Sequence, residues 1–522
     1  MTEANAQNKR RTEVTTTGVE NLWPELDDAR KDASAYLDSR RRAQMGQFLT
    51  PSPIATFMAG MFDCRKSTLR ILDPGAGAGA LCAALVLTCC KRRSPPASIV
   101  VTAYEVDPIL VRYLHQALDR CRRACTDAGV SFQARVVDQD FLEEGASGLA
   151  GNLFGAGEQD RFDCAILNPP YRKIRTDSKE RRILRSLGLE TTNLYTGFVA
   201  VAARLLVAEG EMVAITPRSF CNGPYFEPFR HYFLRDMRFR RVHVFDARNK
   251  VFGDDKVLQE NVIFQAVKNR EANPEVVVSA STEPGANVRS RTVRHEELIH
   301  PSDPHAVIHV VAEKEGKTTR DQINSFEGTL TALGLTVSTG RVVDFRVRDL
   351  LRAQPETNTV PLIYPCHFKH GFVEWPNGRT RKPNALALEP RAEELVIPQG
   401  HYVLTKRFSS KEERRRIVAA VYDPTRVSAP HVAFENHLNY FHERGSGLLT
   451  ALAMGLTAYL NSSLVDDYFR QFSGHTQVNA SDLRSLPYPQ RTSLIALGRR
   501  IGSAFPSQEE LDRLIDELHF DG

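Results

Sequence analysis

Arg70-Ile71-Leu72-Asp73-Pro74-Gly75-Ala76-Gly77-Ala78-Gly79 is the stretch that decides the fold. Its first half is apolar and reads as a strand. Its second half is a glycine-rich turn, and residues 80–90 continue as an apolar helix. Strand, glycine-rich turn and helix in that order form the first unit of a nucleotide-binding α/β sheet, because glycines let the backbone approach a ligand closely. The spacing is not the dinucleotide fingerprint: no glycine falls at the last position of G-x-G-x-x-G, and the Asp73-Pro74 opening is atypical of a dehydrogenase.

Outward from that turn, each further strand ends in chemistry. Residues 99–104 read as a second apolar strand, followed by Glu105-Val106-Asp107-Pro108. Glu105 is placed to accept from ribose hydroxyls, whereas Asp107 reads as the cap of a helix starting at Pro108. Residues 132–137 read as a third strand, ending in Asp138-Gln139-Asp140-Phe141-Leu142. Asp140 is placed to accept from an adenine amine of a cofactor, and Phe141 to pack on its ring. Singly, each acid is equally a helix cap or a solvated loop residue. Acids at successive strand ends point to one site, since open α/β sheets bind ligands at the carboxyl ends of their strands.

A fourth apolar run, Cys164-Ala165-Ile166-Leu167, ends in Asn168-Pro169-Pro170-Tyr171. Proline pushes the preceding residue into extended geometry, so Asn168 and Pro169 are both held out of the helical region. The two prolines also remove two N–H donors. What remains are acceptors, the Asn168 side-chain oxygen and the Pro169 carbonyl, beside the Tyr171 ring. An exocyclic base amine is a poor nucleophile because its lone pair is delocalised into the ring. Two acceptors pulling on its N–H bonds favour pyramidal nitrogen and free that lone pair for an incoming methyl group. Taken alone, the tetrapeptide is also ordinary strand-to-loop turn chemistry.

The series Asp-Pro-Gly-Ala-Gly-Ala-Gly, Glu-Val-Asp-Pro, Asp-Phe-Leu and Asn-Pro-Pro-Tyr resembles the class I S-adenosylmethionine-dependent methyltransferases. More narrowly, it is similar to the amino-methylating DNA adenine methyltransferases of restriction–modification systems, in the branch with a cofactor motif first and a DNA-recognition domain last. That first motif corresponds to Gly46-Gln47-Phe48-Leu49-Thr50-Pro51, ahead of a helix over residues 54–62. The resemblance implies that Thr50 and Pro51 touch the methionine part of the cofactor. It likewise implies cofactor binding by Asp73, Gly75, Gly77, Gly79, Glu105, Asp140, Phe141 and Asn168, and catalysis by Asn168, Pro169, Pro170 and Tyr171. Asn193-Leu194-Tyr195-Thr196-Gly197-Phe198 opens a helix running to residue 208, and residues 210–217 resemble the family's next strand. Val251-Phe252-Gly253, with residues 259–266, resembles the segment whose aromatic stacks on the extruded adenine. Phe252 takes that role by resemblance, with Phe245 as a competitor; core packing is the alternative for either. Residues 458–463, 473–479 and 482–487, with Val337-Ser338-Thr339-Gly340-Arg341 at the start, resemble the recognition domains in outline, which implies DNA but no particular site.

Composition is compatible with this and does not prove it. The 522 residues are 42% hydrophobic and 25% charged, as in ordinary globular proteins of two or more domains. The net charge of +5 comes from 68 Lys+Arg against 63 Asp+Glu, too mild by itself to indicate nucleic acid. The distribution says more. Basic runs lie at Arg172 to Arg185, at Arg238 to Lys250 and at Lys406 to Arg416. They suit a phosphate backbone passing over the chemistry, although each run could be a solvated helix face. The 9 cysteines show no metal-ligand spacing and read as free thiols in a reducing cytoplasm. The chain carries no signal peptide and no apolar run long enough to span a membrane.

The expected architecture is α/β: a Rossmann-like methyltransferase domain with a mostly parallel sheet, plus a C-terminal mixed α+β DNA-recognition domain. Residues 1–45 form an N-terminal arm, partly disordered, residues 46–304 the methyltransferase domain, with 271–304, a Val-rich strand at 276–279 amid Pro, Gly and Ser, as its connection, and residues 305–522 the recognition domain. The expected activity is methyl transfer from S-adenosylmethionine to the amine of a flipped-out adenine in double-stranded DNA, with no metal. A separately encoded restriction endonuclease is left open as a partner. The alternatives are methylation of a protein glutamine amide or an RNA guanine amine, or a non-catalytic DNA-binding subunit.

Overall fold

The computed structural model describes residues 22–36, 48–151, 161–245, 261–269, 274–283, 288–301, 303–310, 319, 322–326, 328–378, 381–409, 413–427, 429–472 and 477–518. The chain forms two compact units, Met1–Ala312 and Glu313–Gly522. The expected division at 304/305 falls short of this one because the segment beyond it completes the first unit. Ile308 and Val310 are buried in its core, and the Ile308 amide donates to the Cys221 carbonyl at 2.8 Å.

The first unit opens with helices α1 (Leu22–Tyr36) and α2 (Ser52–Ala59). The Rossmann-like series follows: β1 (Thr68–Pro74), α3 (Ala80–Cys90), β2 (Ser98–Tyr104), α4 (Pro108–Asp127), β3 (Ser131–Val137), α5 (Phe141–Gly151) and β4 (Phe162–Leu167). Then come α6 (Lys179–Ser186), α7 (Leu194–Leu205), β5 (Leu206–Pro217), α8 (Glu227–Leu234), β6 (Arg238–Phe245), β7 (Asn261–Val267), β8 (Glu275–Ser281) and β9 (Arg289–Arg294). They make one nine-stranded sheet in the order β3-β2-β1-β4-β5-β7-β6-β8-β9. The strands from β3 to β5 pair in parallel, and β7 enters antiparallel between β5 and β6. The expected α/β class, with a mostly parallel sheet, is the class observed.

Both faces of this sheet are covered, which is why its central strands read as unbroken apolar runs. Ile71, Cys164, Ile166, Val213 and Ile215 pack with α2, α3 and α4. The alternate residues Leu72, Ala165, Leu167, Met212 and Ala214 pack with α5, α7 and α8 on the other face. The strands' carboxyl ends therefore converge at one edge of a sandwich whose two cores are dry. The N-terminal arm joins this unit: Ala33 of α1 is buried with Leu49, Ala78 and Leu110, and the Tyr113 hydroxyl of α4 donates to Asp32 at 2.8 Å.

Three local expectations are corrected. Helix α7 ends at Leu205, not 208, because Leu206 already pairs with Phe162 at a bulge in β4. Helix α2 starts and ends earlier than 54–62. The stretch taken as a connection supplies strands β8 and β9, with Val276 and Val278 buried and Val277 exposed. That alternation is the mark of a half-covered strand.

The second unit is mixed α+β. Its six-stranded sheet is built on Tyr402–Lys406, Ala419–Tyr422 and Leu438–His442, and its five-stranded sheet on Thr359–Ile363 and His431–Phe434. Helices Thr450–Leu460 and Arg491–Ile501 cross at Gly455 and Gly498. A Cβ there would lie 1.8 Å from the Leu494 carbonyl oxygen and 1.7 Å from that of Ala451, so only glycine permits this crossing.

Candidate active site

The glycine turn is held open by its neighbours. Gly75, Gly77 and Gly79 have φ of 78°, 57° and 85°, the left-handed region that other residues avoid. The amides of Gly75 and Ala76 both donate to the Tyr104 carbonyl, at 2.9 and 2.8 Å, strapping the turn to the end of β2. The Gly77 amide donates to Glu105 Oε2 at 2.8 Å, while Oε1 accepts from the Asp107 amide at 2.8 Å. Burial pushes the Glu105 carboxyl up, against the pull of these amides. Asp107 caps α4 through the Ile109 amide, as its sequence position implies.

Asp73 is wholly buried beneath the turn. One oxygen accepts from the Cys82 amide at 3.1 Å; the other, Oδ1, has no hydrogen-bond partner among the described residues. Burial, with a smaller contribution from Glu105, pushes its carboxyl up to about 7.

Asn168 is fixed from the opposite side. Its Nδ2 donates to the Phe48 carbonyl at 2.9 Å and to the Thr50 hydroxyl at 3.0 Å. Pro51 is the N-cap residue of α2, with no side-chain cap bond, so the Thr50 hydroxyl is spared for Asn168. Both donors of the Asn168 amide are thereby used, and its carbonyl oxygen remains to accept. Pro169 is buried. Tyr171 packs against both cores, 5.5 Å from the Phe48 ring and edge-on to Tyr195 at 6.1 Å, and its hydroxyl donates to the Ile215 carbonyl at 3.2 Å. Burial raises its phenol well above the ordinary range.

These elements enclose a cleft of about 770 Å³ at the carboxyl ends of β1, β2, β3 and β4. Of the residues singled out in the sequence, Gly75, Gly77, Glu105, Asp140, Phe141, Asn168 and Pro170 line it. Thr50 lines a smaller adjoining compartment of about 300 Å³. Pro51, Asp73, Gly79, Pro169 and Tyr171 stand behind the lining residues. Asp140 serves α5 as well, its Oδ1 accepting from the Leu142 and Glu143 amides at 2.8 and 3.2 Å. Phe141 is wedged between Tyr104 and Phe198, both at 5.2 Å. Phe245 is buried and edge-on to His243 at 4.7 Å, which commits it to packing; Phe252 lies outside the described residues.

Tyr104, Leu110, Gln139, Leu194 and Phe198, given no site role from the sequence, also line the cleft, as does Arg172, which the sequence placed only in a basic run. Tyr104 was findable as the aromatic just before Glu105. Phe198 reaches the site by tertiary packing alone. The basic runs divide. Arg172 pairs with Glu180, and Arg181 and Arg185 both pair with Glu190. Arg241 pairs with Asp63 at 2.9 Å, and Arg416 is fully buried. Exposed Lys173, Arg175 and Arg182 make no ion pair among the described residues. Among those residues, no three His, Cys, Asp or Glu are grouped to hold a metal, and no helix is long and apolar enough to cross a membrane.

Residues 120–252 match the model of the Eco57I restriction-modification methylase family. The Type II methyltransferase M.PstI of Providencia stuartii is 39% identical over 495 residues, covering 94% of this chain and 96% of that one. The Type II methyltransferase M.BsuBI of Bacillus subtilis is 42% identical over 484 residues, covering 92% and 95%. The chain belongs to the Type II restriction–modification methyltransferases. As a member of that family it is a DNA methyltransferase. The fold extends further: the Type IIL restriction-modification enzyme MmeI, solved in complex with DNA, aligns over 100% of this chain and 76% of its own, at 12% identity and a TM-score of 0.53.

Proposed function

We propose that this chain methylates the exocyclic amine of adenine in double-stranded DNA, with S-adenosylmethionine as the donor. The observation that carries this reading is the anchored Asn168 amide, which lines the cleft with its Nδ2 tied to Phe48 and Thr50 and its oxygen left to accept; the carbonyl of the adjoining Pro169 is the second acceptor in this reading. Two fixed acceptors suit a group with two N–H bonds, which is the chemistry of an amine and not of a ring carbon.

The residues present fit the cofactor. Positive-φ glycines leave room for a nucleoside against the backbone, and of the two that line the cleft Gly77 is the tighter, since a Cβ there would lie 3.1 Å from Leu49. Glu105 is buried with its carboxylate at the cleft wall, suited to ribose hydroxyls. Tyr104, Phe141 and Phe198 supply apolar faces, and Asp140 an acceptor for a ring amine. When bound, S-adenosylmethionine supplies an electrophilic methyl group.

The chain's own part is then positioning and preorganised polarity. A target base must leave the stack to reach the cleft. Asn168 Oδ1 and the Pro169 carbonyl accept from its amine and turn the lone pair outward. Tyr171, held by Phe48, Tyr195 and Ile215, is assigned the stacking face for the base, and Phe252, outside the described residues, is assigned the other face by resemblance alone. No covalent enzyme intermediate is required. Exposed Lys173, Arg175 and Arg182, in the segment after β4, are assigned to backbone phosphates in this reading, and the second unit to recognition of the target sequence.

The test is direct. Methyl-labelled S-adenosylmethionine is incubated with the protein and plasmid DNA, and the DNA is digested to nucleosides. Label in amine-methylated deoxyadenosine is the expected result. Label in a cytosine derivative overturns the adenine assignment, and label confined to protein or RNA overturns the substrate class.

A further inference from the structure

We infer that Phe345, on the second unit, is a DNA-contacting residue that sets its ring against base edges in a groove, while Arg346 and Arg348 hold the phosphates beside it. This rests on the DNA methyl-transfer reading above and gives the target contacts named residues.

Phe345 stands on a rigid base. Val342 and Leu350, before and after it in the chain, are fully buried in one core with Val360, Leu362 and Tyr364. Between them the chain makes two single turns, Asp344–Arg346 and Arg348–Leu350. The Arg346 amide closes the first on the Val343 carbonyl at 2.9 Å, and the Leu350 amide closes the second on that of Val347 at 2.9 Å. The Asn436 amide donates to the Val342 carbonyl at 2.8 Å, which ties the segment to the turn that carries His437. The His437 ring lies 4.9 Å from that of Phe408, which is also exposed.

A single exposed ring is ordinary on a protein surface. The charges around this one are not. Phe345 is 63% exposed, and the Arg346 guanidinium sits 5.7 Å from its ring centroid. Both acids of the segment are already engaged, Asp344 by Lys382 at 3.1 Å and Asp349 by Arg391. Arg346 and Arg348 are exposed and make no ion pair among the described residues. Arg341, in the same segment, donates to the carbonyls of Glu394 and Val396 at 3.1 and 3.3 Å and not to a carboxylate. The acids are neutralised and the arginines are left over. A duplex answers that pattern, because its backbone is a continuous rail of phosphates and its grooves offer apolar contacts such as the thymine methyl. A protein surface, with its signs interspersed, offers no such rail.

Plasmid fragments provide the test. One that takes label from methyl-labelled S-adenosylmethionine carries a target; one of equal length that takes none does not. Fluorescence anisotropy of the full chain measures affinity for both across a salt series. Phe345→Ala is expected to weaken binding of the first fragment about five- to hundredfold, the range for losing one base contact, and to leave the second fragment and the salt slope unchanged. The double variant Arg346→Gln, Arg348→Gln is expected to weaken both fragments and to lower the slope by about 2, at about 0.9 per phosphate. If Phe345→Ala melts early, Phe345→Leu decides, with a smaller loss confined to the first fragment. Equal loss on both fragments in the Phe345 variant that folds, or no loss, overturns the base contact. An unchanged slope in the double variant overturns the phosphate contacts. An unaltered protein that labels no fragment overturns the methyl-transfer reading itself, a result distinct from these.

Discussion

Thr50 accepts a hydrogen bond from the Asn168 amide at 3.0 Å, across 118 positions of chain. The motif before the sheet and the motif at its fourth strand are therefore one polar unit, and a change in the first should be felt at the second. Thr50→Val keeps the volume and removes the acceptor. A buried donor left unpaired costs about 1–3 kcal/mol, so the methyl-transfer rate should fall by about five- to hundredfold. Single-turnover methylation of DNA measures it, and an unchanged rate would show the contact to be incidental.

Asn168→Ala removes the side-chain acceptor altogether. The expected loss in kcat exceeds about a hundredfold, by analogy with removal of one preorganised polar group. Binding of S-adenosylhomocysteine should be largely kept, because the glycine turn and Glu105 are untouched. Near-normal transfer by this variant would sink the assigned role.

Asp73 sets a pH dependence of stability. Its carboxyl is pushed from an ordinary 3.8 up to about 7 in the fold, chiefly by burial. A raised folded value means its contribution to stability is fully present below 3.8 and is lost as pH rises to about 7. Asp73→Asn removes that titration. Whatever constant offset the amide brings, the variant should gain on its parent between those values and hold level above them. Thermal melts of both proteins at about pH 5 and about pH 8 check this. A variant whose Tm falls relative to its parent as pH rises, or stays level with it, would contradict this.

The cations near the chemistry should separate by their partners. Lys173, Arg175 and Arg182 are exposed and unpaired among the described residues, whereas Arg181 and Arg185 are engaged by Glu190. Replacing the first three by alanine should reduce the salt slope of DNA affinity by roughly 2 to 3, close to 0.9 per phosphate contact. Replacing Arg181 and Arg185 should leave the slope nearly unchanged. Fluorescence anisotropy across a salt series distinguishes the two sets, and equal slopes would remove the first three from the DNA-facing surface.

The legible parts of this protein were the local ones. The ends of β1 to β4 and the whole of α3 could be read because an apolar run, a glycine turn and a proline each act within a few residues. The same is true of Asp107, whose carboxylate accepts from the amide only two positions on. What escaped was set at a distance. Phe198 reaches the cleft from a helix whose own sequence says only that it is a helix. The fate of the basic runs depended on Glu180, Glu190 and Asp63, which pair with them through the fold. Asp140 had been weighed between cap and ligand, and it caps α5 while lining the cleft, so the two readings are compatible. The Val-rich centre of β8 was legible at residues 276–279, whereas β9 and the pairing of both strands to the sheet were obscured by the Pro, Gly and Ser around them.

The anchored Asn168 amide also makes the site a filter of hydrogen-bond polarity. With Nδ2 tied to Phe48 and Thr50, the side chain cannot rotate to offer its donors without breaking both bonds. A base whose amine has been replaced by a carbonyl, as deamination does to adenine, would set oxygen against oxygen at that point. On the proposed adenine reading, such a lesion would be rejected by repulsion and not merely by lack of a nucleophile, and the contact proposed to activate the correct base would keep a damaged one out of the cleft.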